Sequence, residues 1–270
     1  MKPRKPTPQP QRPQVETLRL NKMISHRSTY SRREADALIK EGKVTLNGKV
    51  VTDLATQVTN EDVITVNGHP LKHPEAMITV IVYHKPKGEL VTKKDPRGRK
   101  TIYETLPPTL RHFIPVGRLD FASEGVLLLS DSPKIVTALM TSSLERIYNI
   151  KIEGQVTPAM TQAMENGLEL EDATKGAHPK TSIKEMSFAP FYAYQILKNE
   201  GKYSRLRVAI TEGKNRELRR FFAHFGAKVT DLKRVSFGGV ELNNLPVGEW
   251  RYLDKKEYHN LRSFLKENKE

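Results

Sequence analysis

Apolar residues recur at helical spacing in two short runs near the start of the chain, at residues 20–24 and 35–39. Ser31 and Glu34 form a capping box ahead of the second run, since each side chain can accept a hydrogen bond from the other residue's backbone amide. Gly42 follows that run and is typical of a helix end. The pattern therefore predicts two consecutive short helices.

Two Asn-Gly pairs, at residues 47–48 and 67–68, follow these helices, and each comes directly after a short β-branched run. Asparagine and glycine tolerate the positive φ angles of a type I′ turn, which joins antiparallel strands tightly. The first pair therefore predicts a hairpin between residues 44–46 and 49–51. Together these elements indicate a small domain of two helices followed by short strands, over residues 18–72.

Apolar runs of strand and helix type alternate over residues 77–266, after a short connection at 73–76. This mixture predicts the α+β class, with a mainly antiparallel sheet flanked by helices. The predicted strands cover residues 78–83, 126–129, 148–152 and 206–210, and the predicted helices begin near Pro133 and cover 157–167, 218–225 and 258–265.

The helix predicted at residues 218–225 carries leucine and phenylalanine at positions i, i+3, i+4 and i+7. Because that stripe faces the core, Arg216, Arg219 and Arg220 are expected to point away from it. Arginines on one side of a helix can bind phosphates or pair with a carboxylate through two hydrogen bonds. A solvated basic face is the other interpretation of the same residues.

The excess of basic over acidic residues indicates what class of partner the protein binds. The 270 residues include 45 Lys and Arg against 31 Asp and Glu, which gives a formal net charge of +14. Such an excess favours association with phosphate polyanions. No cysteine is present, which excludes disulfides, thiol catalysis and cysteine-ligated metal sites. His69 and His73 lie across a proline near a predicted hairpin, so no metal site is expected.

The start of the chain, residues 1–17, is rich in proline, glutamine, lysine and arginine and has no periodic apolar face. Such a segment buries too little apolar surface to offset the entropy of ordering, so a disordered basic tail is expected. It lacks the apolar run of a secretory signal. No other stretch approaches the ~20 apolar residues that cross a bilayer. We therefore expect a cytoplasmic protein that does not associate with a membrane.

Asp120 is the most informative single position in the sequence. It lies in the segment 117–131, two residues after Arg118 and shortly before Gly125 and an apolar run. An aspartate before a strand most often caps a turn in solvent. Here the neighbouring arginine, the apolar strand, and a glycine that lets another backbone approach closely favour a carboxylate aimed at a substrate.

Two further positions fit an RNA ligand. Lys85 begins a Lys-Pro-Lys-Gly turn after the first strand of the larger domain, and two lysines on a turn suit phosphates. Tyr148 lies on a predicted strand, where a tyrosine is more often part of the core. Its alternative role would be to stack on a nucleobase.

These motifs, taken in order, resemble the bacterial ribosomal pseudouridine synthases of the RsuA/RluB/RluE/RluF family. Residues 117–131 are similar to its Gly-Arg-Leu-Asp signature, and residues 85–88 to its Lys-Pro-x-Gly loop. Residues 212–220 resemble its arginine-rich motif and residues 232–251 its closing motif, while Tyr148 matches its strand tyrosine.

The small domain completes the resemblance. Residues 18–71 are similar to the S-four RNA-binding domain that often precedes the synthase domain in this family. Three features depart from the family pattern. Glu217 stands where glutamine is usual, Arg146 stands where lysine is common, and Ser28-Thr29-Tyr30 replace the usual small residues before Ser31. The two-domain layout, the basic tail and Trp250 are closest to the large-subunit, RluB-like members.

The resemblance implies isomerisation of uridine to pseudouridine within ribosomal RNA, without a cofactor or a metal. Asp120 would be the catalytic carboxylate, either attacking the sugar carbon or removing a sugar proton. Arg219, with Arg216 as the second choice, would keep it ionised. Tyr148 would stack on the uridine after it leaves the RNA stack.

The implied partner is ribosomal RNA, expected from the large subunit, and the protein is expected to be a monomer. A small-subunit enzyme and a non-catalytic RNA-binding assembly factor are the alternatives, and the joint presence of Asp120, Tyr148 and Arg219 favours an enzyme. The residues expected to contact RNA are Arg118, Arg216, Arg220, Lys85, Lys214, Arg19, Lys22, Arg32, Arg33 and Lys43.

Overall fold

The computed structural model describes residues 17–28, 30–59, 61–71, 79–178 and 181–267. The chain divides between residues 77 and 78 into two compact units. The tail predicted for residues 1–17 and the connection predicted for 73–76 lie outside the described residues, apart from Thr17. In the described part, no helix is long and apolar enough to cross a membrane.

The helices of the first unit form where the apolar spacing predicts them, as α1 (Leu20–Arg27) and α2 (Arg32–Lys40). The capping box is present at the start of α2. The Glu34 amide donates to Ser31 Oγ at 3.2 Å, and the Ser31 amide donates to Glu34 Oε2 at 2.6 Å. The apolar faces of both helices bury against the strands in one small core.

The strands of the first unit are β1 (Leu18–Arg19), β2 (Val44–Leu46), β3 (Lys49–Val50), β4 (Gln57–Val58), β5 (Ile64–Val66) and β6 (His69–Pro70). They pair antiparallel, in a four-stranded sheet of order β3-β2-β5-β6 and a separate β1-β4 pair. Both residues of each Asn-Gly pair have positive φ, with 49° and 81° at Asn47 and Gly48. The predicted type I′ conformation is therefore confirmed at both turns.

The second unit is built on one large sheet. Its strands are β7 (Val80–Lys85), β8 (Ile114–Pro115), β9 (Glu124–Ser130), β10 (Arg146–Glu153), β11 (Leu168–Leu170), β12 (Met186–Phe188), β13 (Ala193–Glu200), β14 (Tyr203–Ile210), β15 (Lys228–Phe237), β16 (Val240–Glu241) and β17 (Trp250–Tyr252). The main order is β13-β14-β10-β15-β9-β7-β17, with β8 on β9 and β16 on β15, while β11 and β12 form a separate pair.

Helices cover both faces of this sheet. The helices are α3 (Ile102–Thr105), α4 (Pro133–Met140), α5 (Pro158–Asn166), α6 (Glu217–His224) and α7 (Lys255–Glu267). Alternate residues of β9 point to opposite faces, so Leu127 and Leu129 join the core of α3, α5 and α6. Val126 and Leu128 join the core of α4 and α7. The predicted α+β class with a mainly antiparallel, helix-flanked sheet is confirmed.

Among the paired strands of the described residues, β9 and β15 run parallel to each other. Gly125 pairs there with Arg234, and its φ of 122° is a conformation that side chains rarely adopt. A Cβ at Gly125 would overlap the Arg234 backbone and lie 2.7 Å from its nitrogen. Glycine is therefore required for this close approach, which joins the two halves of the sheet beside Asp120.

Two of the long strands of this sheet, β13 and β15, escape prediction from the sequence. β13 lies at the sheet edge and exposes nearly every residue, so its sequence has no buried face to produce an alternating pattern. β15 alternates buried and exposed residues, but charged side chains occupy part of its buried face. The buried face of β15 includes Arg234, which hydropathy alone assigns to solvent.

Candidate active site

Asp120 lies on a tight turn that leads into β9. The Ser123 amide donates to the Asp120 carbonyl at 3.0 Å, and the Gly88 amide donates to the Phe121 carbonyl at 2.7 Å. The Lys85 ammonium donates to the carbonyls of Asp120 and Ser123, at 3.1 and 2.9 Å. The backbone of the turn is thus held from both sides, which fixes the direction of the Asp120 side chain.

The Asp120 carboxylate meets two arginines from a distant part of the chain. Its Oδ2 lies 3.4 Å from Arg216 Nη1 and 3.4 Å from Arg219 Nε. The Asp120 side chain remains 29% exposed, so it is shielded by the arginines and still open to a ligand. Two guanidinium groups therefore lie next to a single oxygen of this carboxylate.

Arg219 is held in place by its other contacts. It donates to the Val229 carbonyl at 3.2 Å, to the Ala122 carbonyl at 3.2 Å and to Ser123 Oγ at 3.1 Å. Burial is the main influence on the pKa of Arg219 and lowers it, while Asp120 acts in the opposite direction. Arg219 is therefore held in one position, where it connects β15 to the Asp120 turn.

Arg216 is the residue that directly precedes α6, and its side chain reaches the same carboxylate. Its backbone φ is 52°, a left-handed conformation that is uncommon outside glycine. The Arg216 Nε donates to the Gly176 carbonyl at 2.8 Å. This turn directs the Arg216 guanidinium towards Asp120 while α6 continues into the core.

A cleft of about 560 Å³ opens beside Asp120. Leu119, Leu218 and Leu232 give it an apolar side, and Tyr148 of β10 lines it with a side chain that is 7% exposed. The volume lies within the range of small-molecule sites. The cleft therefore combines a carboxylate, an aromatic ring and apolar walls, as needed to enclose a planar base attached to a polar sugar.

Two residues expected to contact RNA are instead buried, and both expectations are wrong. Lys85 is 0% exposed and donates only to backbone carbonyls, including that of Pro86 at 2.8 Å. Its burial lowers the pKa of the Lys85 ammonium to about 8. The turn on which it lies folds back over the strand end, so the lysine supports the Asp120 turn from inside.

Arg220 is also 0% exposed, because it lies on the buried side of α6. Its guanidinium donates to the carbonyls of Ala173 and Ile183, to Thr181 Oγ1 and to Asn215 Oδ1, at 2.9 to 3.2 Å. Arg220 therefore holds the segment that follows β11 against α6. The three arginines of this motif do not form one exposed row.

The remaining expected contacts lie on the surface or near it. Arg118 is exposed at the cleft, and Lys214 is exposed beside it and paired with Glu212 at 2.9 Å. In the first unit, Lys43 pairs with Glu41 at 2.6 Å. Arg19, Arg32, Arg33 and Lys43 are exposed, and Lys22 is half-buried.

Three ionisable side chains that line the cleft were not predicted from the sequence to lie there: Arg146, Arg234 and Glu217. All are buried, with exposed fractions of 6%, 4% and 7%. Burial raises the pKa of Glu217 to about 7, although its carboxylate accepts the Lys214 amide at 2.9 Å. The departures from the family pattern at residues 146 and 217 were the available signal for two of them. Within the described residues, no cluster of three His, Asp or Glu side chains is placed to hold a metal.

Two family models match the chain. Residues 79–224 match the RNA pseudouridylate synthase model, which is more than half of the sequence. Residues 18–64 match the S4 domain model. The Asp120 turn, Tyr148 and α6 all fall within the first match.

Relatives match along nearly the full length. A Helicobacter pylori protein named "Uncharacterized RNA pseudouridine synthase" is 55% identical over 252 residues, covering 92% of this chain and 95% of the relative. The Bacillus subtilis ribosomal large subunit pseudouridine synthase B is 33% identical over 253 residues, covering 93% and 98%. A similar protein from Vibrio cholerae, also a ribosomal large subunit pseudouridine synthase B, is 34% identical and covers 92% and 75%.

A solved structure agrees with these matches. The crystal structure of a pseudouridylate synthase superposes with a TM-score of 0.60 at 25% identity, covering 90% of this chain and 99% of that one. Asp120, its two arginines and Tyr148 thus lie together in a fold shared with that enzyme class. The chain belongs to the RNA pseudouridine synthases, which are isomerases, and within them to the RsuA/RluB family, with an S4 domain ahead of the synthase domain.

Proposed function

We propose that this enzyme converts one uridine of large-subunit ribosomal RNA to pseudouridine, with Asp120 as the catalytic carboxylate. The observation that carries the proposal is the pair of arginines on Asp120 Oδ2, at the mouth of a cleft of nucleoside size. The relatives named ribosomal large subunit pseudouridine synthase B support the choice of RNA.

The target uridine leaves its stack to enter the cleft, which costs a few kcal/mol. Stacking on Tyr148 recovers roughly 1–3 kcal/mol of that cost. Leu119, Leu218 and Leu232 exclude water from the rest of the cleft. The glycosidic bond to the uracil nitrogen breaks, the base turns, and its carbon 5 bonds to the same sugar carbon. Carbon 5 then loses its proton, and the released nitrogen takes up a proton, so that the product is an isomer of the substrate.

Asp120 acts on the sugar in its ionised form, either on the anomeric carbon or on a sugar proton. Arg216 and Arg219 lie next to this carboxylate, and Arg219 keeps its direction constant. The reaction moves no group onto or off the RNA, so it requires no cofactor.

RNA outside the cleft is bound by phosphate contacts. Arg118 and Lys214 lie at the cleft and would hold the target strand. The exposed basic residues of the S4 domain would bind structured RNA through phosphates and 2′-hydroxyls. We further propose that the enzyme works as a monomer in the cytoplasm, where ribosomal RNA is made.

Mapping of pseudouridine in ribosomal RNA tests this function. RNA from cells with and without the gene is compared at every uridine, and the gene is restored as wild type or as Asp120→Asn. We expect one large-subunit site to disappear, and to return only with the wild type. If the site that disappears lies in small-subunit RNA, the proposed substrate is wrong. If the pseudouridine maps with and without the gene are the same, the proposed function is wrong.

Deletion of residues 1–72 tests the role of the first domain. We expect weaker binding of large-subunit RNA and a shallower dependence of affinity on salt, because phosphate contacts release counterions. Equal affinity and equal salt dependence of the full chain and the deletion variant would contradict that role.

A further inference from the structure

Two buried arginines form a second cationic centre in the cleft, apart from the pair on Asp120. Arg146 lies on β10 and Arg234 on β15, and both line the cleft. Their guanidinium carbons lie 4.8 and 5.3 Å from the centre of the Phe237 ring. One aromatic ring therefore brings two positive charges into the same small volume.

These two arginines have no anionic partner in the described part of the chain. Arg146 donates to the carbonyls of Leu144 at 2.9 Å and Thr211 at 2.7 Å. Arg234 donates through Nε to the Val126 carbonyl at 2.7 Å, and its Nη2 has no hydrogen-bond partner. The ion pairs of arginine in the described residues belong to other positions.

A pair of desolvated cations without a counter-charge is costly, because their mutual repulsion is poorly screened. Glu217 is the carboxylate that acts on Arg146, and it forms no ion pair with it. Burial raises the pKa of Glu217 to about 7, so it supplies only part of a negative charge near neutrality. An anion between the two guanidinium groups would offset their repulsion.

We propose that Arg146 and Arg234 form an anion subsite that binds a backbone phosphate of the RNA beside the flipped uridine. The inference rests on the proposed function and specifies how its substrate is held. A neutral uracil would leave both charges uncompensated, whereas a phosphate can accept hydrogen bonds from two guanidinium groups. The Arg146–Phe237–Arg234 cluster then sets the distance between that phosphate and Asp120.

Neutral phosphate replacement tests the subsite. Methylphosphonate linkages are placed one at a time on either side of the target uridine, in the large-subunit RNA fragment that carries it. Affinity is measured with Asp120→Asn, which binds without turnover, and pseudouridine formation with the wild type. At one linkage we expect a loss of about 10- to 100-fold in affinity, the size of a charge-assisted hydrogen bond.

The protein side of the test uses Arg234→Gln. At the sensitive linkage, methylphosphonate should lower the RNA affinity of the Arg234→Gln variant by less than 3-fold. This variant has already lost the interaction between Arg234 and the phosphate. Arg207→Gln removes an exposed arginine of β14 and serves as the matched control, with the full loss retained. Thermal unfolding of each variant shows whether it folds, and Arg146→Gln, which removes the other charge of the subsite, replaces Arg234→Gln if it does not.

The outcomes separate the two proposals. If the wild type forms no pseudouridine in unmodified RNA, the proposed function fails. If it does, and no single methylphosphonate lowers affinity or rate, the subsite is overturned, whatever the variants do. A loss that is the same size in Arg234→Gln, or in Arg146→Gln where that variant replaces it, and in Arg207→Gln would also overturn it.

Discussion

The Nε of Arg219 lies 3.4 Å from Oδ2 of Asp120, joining the start of α6 to the turn before β9. The two residues belong to different sequence motifs. The Arg219 guanidinium also donates hydrogen bonds to the Ala122 carbonyl and to Ser123 Oγ. The ion pair is thus part of a rigid connection that fixes where the carboxylate lies.

Replacement of Asp120 by asparagine should abolish pseudouridine formation. The amide keeps the size of the side chain but cannot act as a nucleophile or base, so we expect the rate to fall by more than about 100-fold. RNA affinity should stay within a few-fold of the wild type. Single-turnover assays and filter binding on the same RNA measure both, and a variant with normal turnover would refute the assignment.

Arg219→Lys should lower kcat on the order of 100-fold, as expected when a reacting group is misplaced. Lysine keeps a positive charge but cannot hold the fork of contacts to Val229, Ala122 and Ser123. KM should change little, because Arg219 does not itself line the cleft. Arg205→Lys, at an exposed site on β14, is the control. A change confined to KM would argue against a positioning role.

Tyr148→Phe should bind RNA within about 2-fold of the wild type, since the ring remains available for stacking. Tyr148→Leu should lose roughly 1–3 kcal/mol of affinity. The ring lies in the cleft at 7% exposure, so both variants keep the cleft wall largely filled. Equal affinity of the two variants, measured by titration, would exclude stacking. A loss of turnover in Tyr148→Phe without a loss of affinity would assign removal of the proton at carbon 5 to the hydroxyl.

Glu217→Gln should stabilise the protein, increasingly so from about pH 4.5 to pH 7. The pKa of Glu217 rises from 4.5 to about 7 on folding because burial disfavours its charge. Over that window the native state binds more protons than the unfolded state, so this carboxylate lowers stability as pH rises. The gain in Glu217→Gln should reach about 3 kcal/mol at most above pH 7.

Urea unfolding at several pH values measures that gain. The glutamine carbonyl can still accept the Lys214 amide, so the helix start is preserved. Glu200→Gln removes an exposed carboxylate and is the matched control. A gain that does not depend on pH would contradict the explanation by burial of charge.

Gly125→Ala should destabilise the second unit by about 3 kcal/mol or more, since a Cβ would overlap the Arg234 backbone. Gly213→Ala is the matched control for stability, because its Cβ would first meet Arg146 at an ordinary 3.5 Å. Thermal unfolding should show a clear loss for Gly125→Ala and almost none for Gly213→Ala. Equal midpoints would mean that β9 and β15 can separate at little cost.

The local elements of this protein could be predicted because short-range chemistry determines them. Ser31 and Glu34 cap α2 through their own side chains, and the Asn-Gly turns need only their own φ angles. The leucine and phenylalanine stripe predicts that α6 packs on the core, because its spacing follows the helical repeat and needs only the local sequence. Ordered motifs around Asp120 and Tyr148 were enough to indicate the family and the chemistry.

The sequence by itself therefore determined the α+β class, the helix-capping and turn sites, and the identity of the enzyme family. Only the tertiary structure decided which basic residues are buried and which line the cleft. Lys85 and Arg220 are buried because neighbouring segments present backbone carbonyls to them, and Arg146 and Arg234 meet across β10, β15 and Phe237. Such contacts join residues far apart in the chain, and hydropathy assigns every arginine and lysine to solvent.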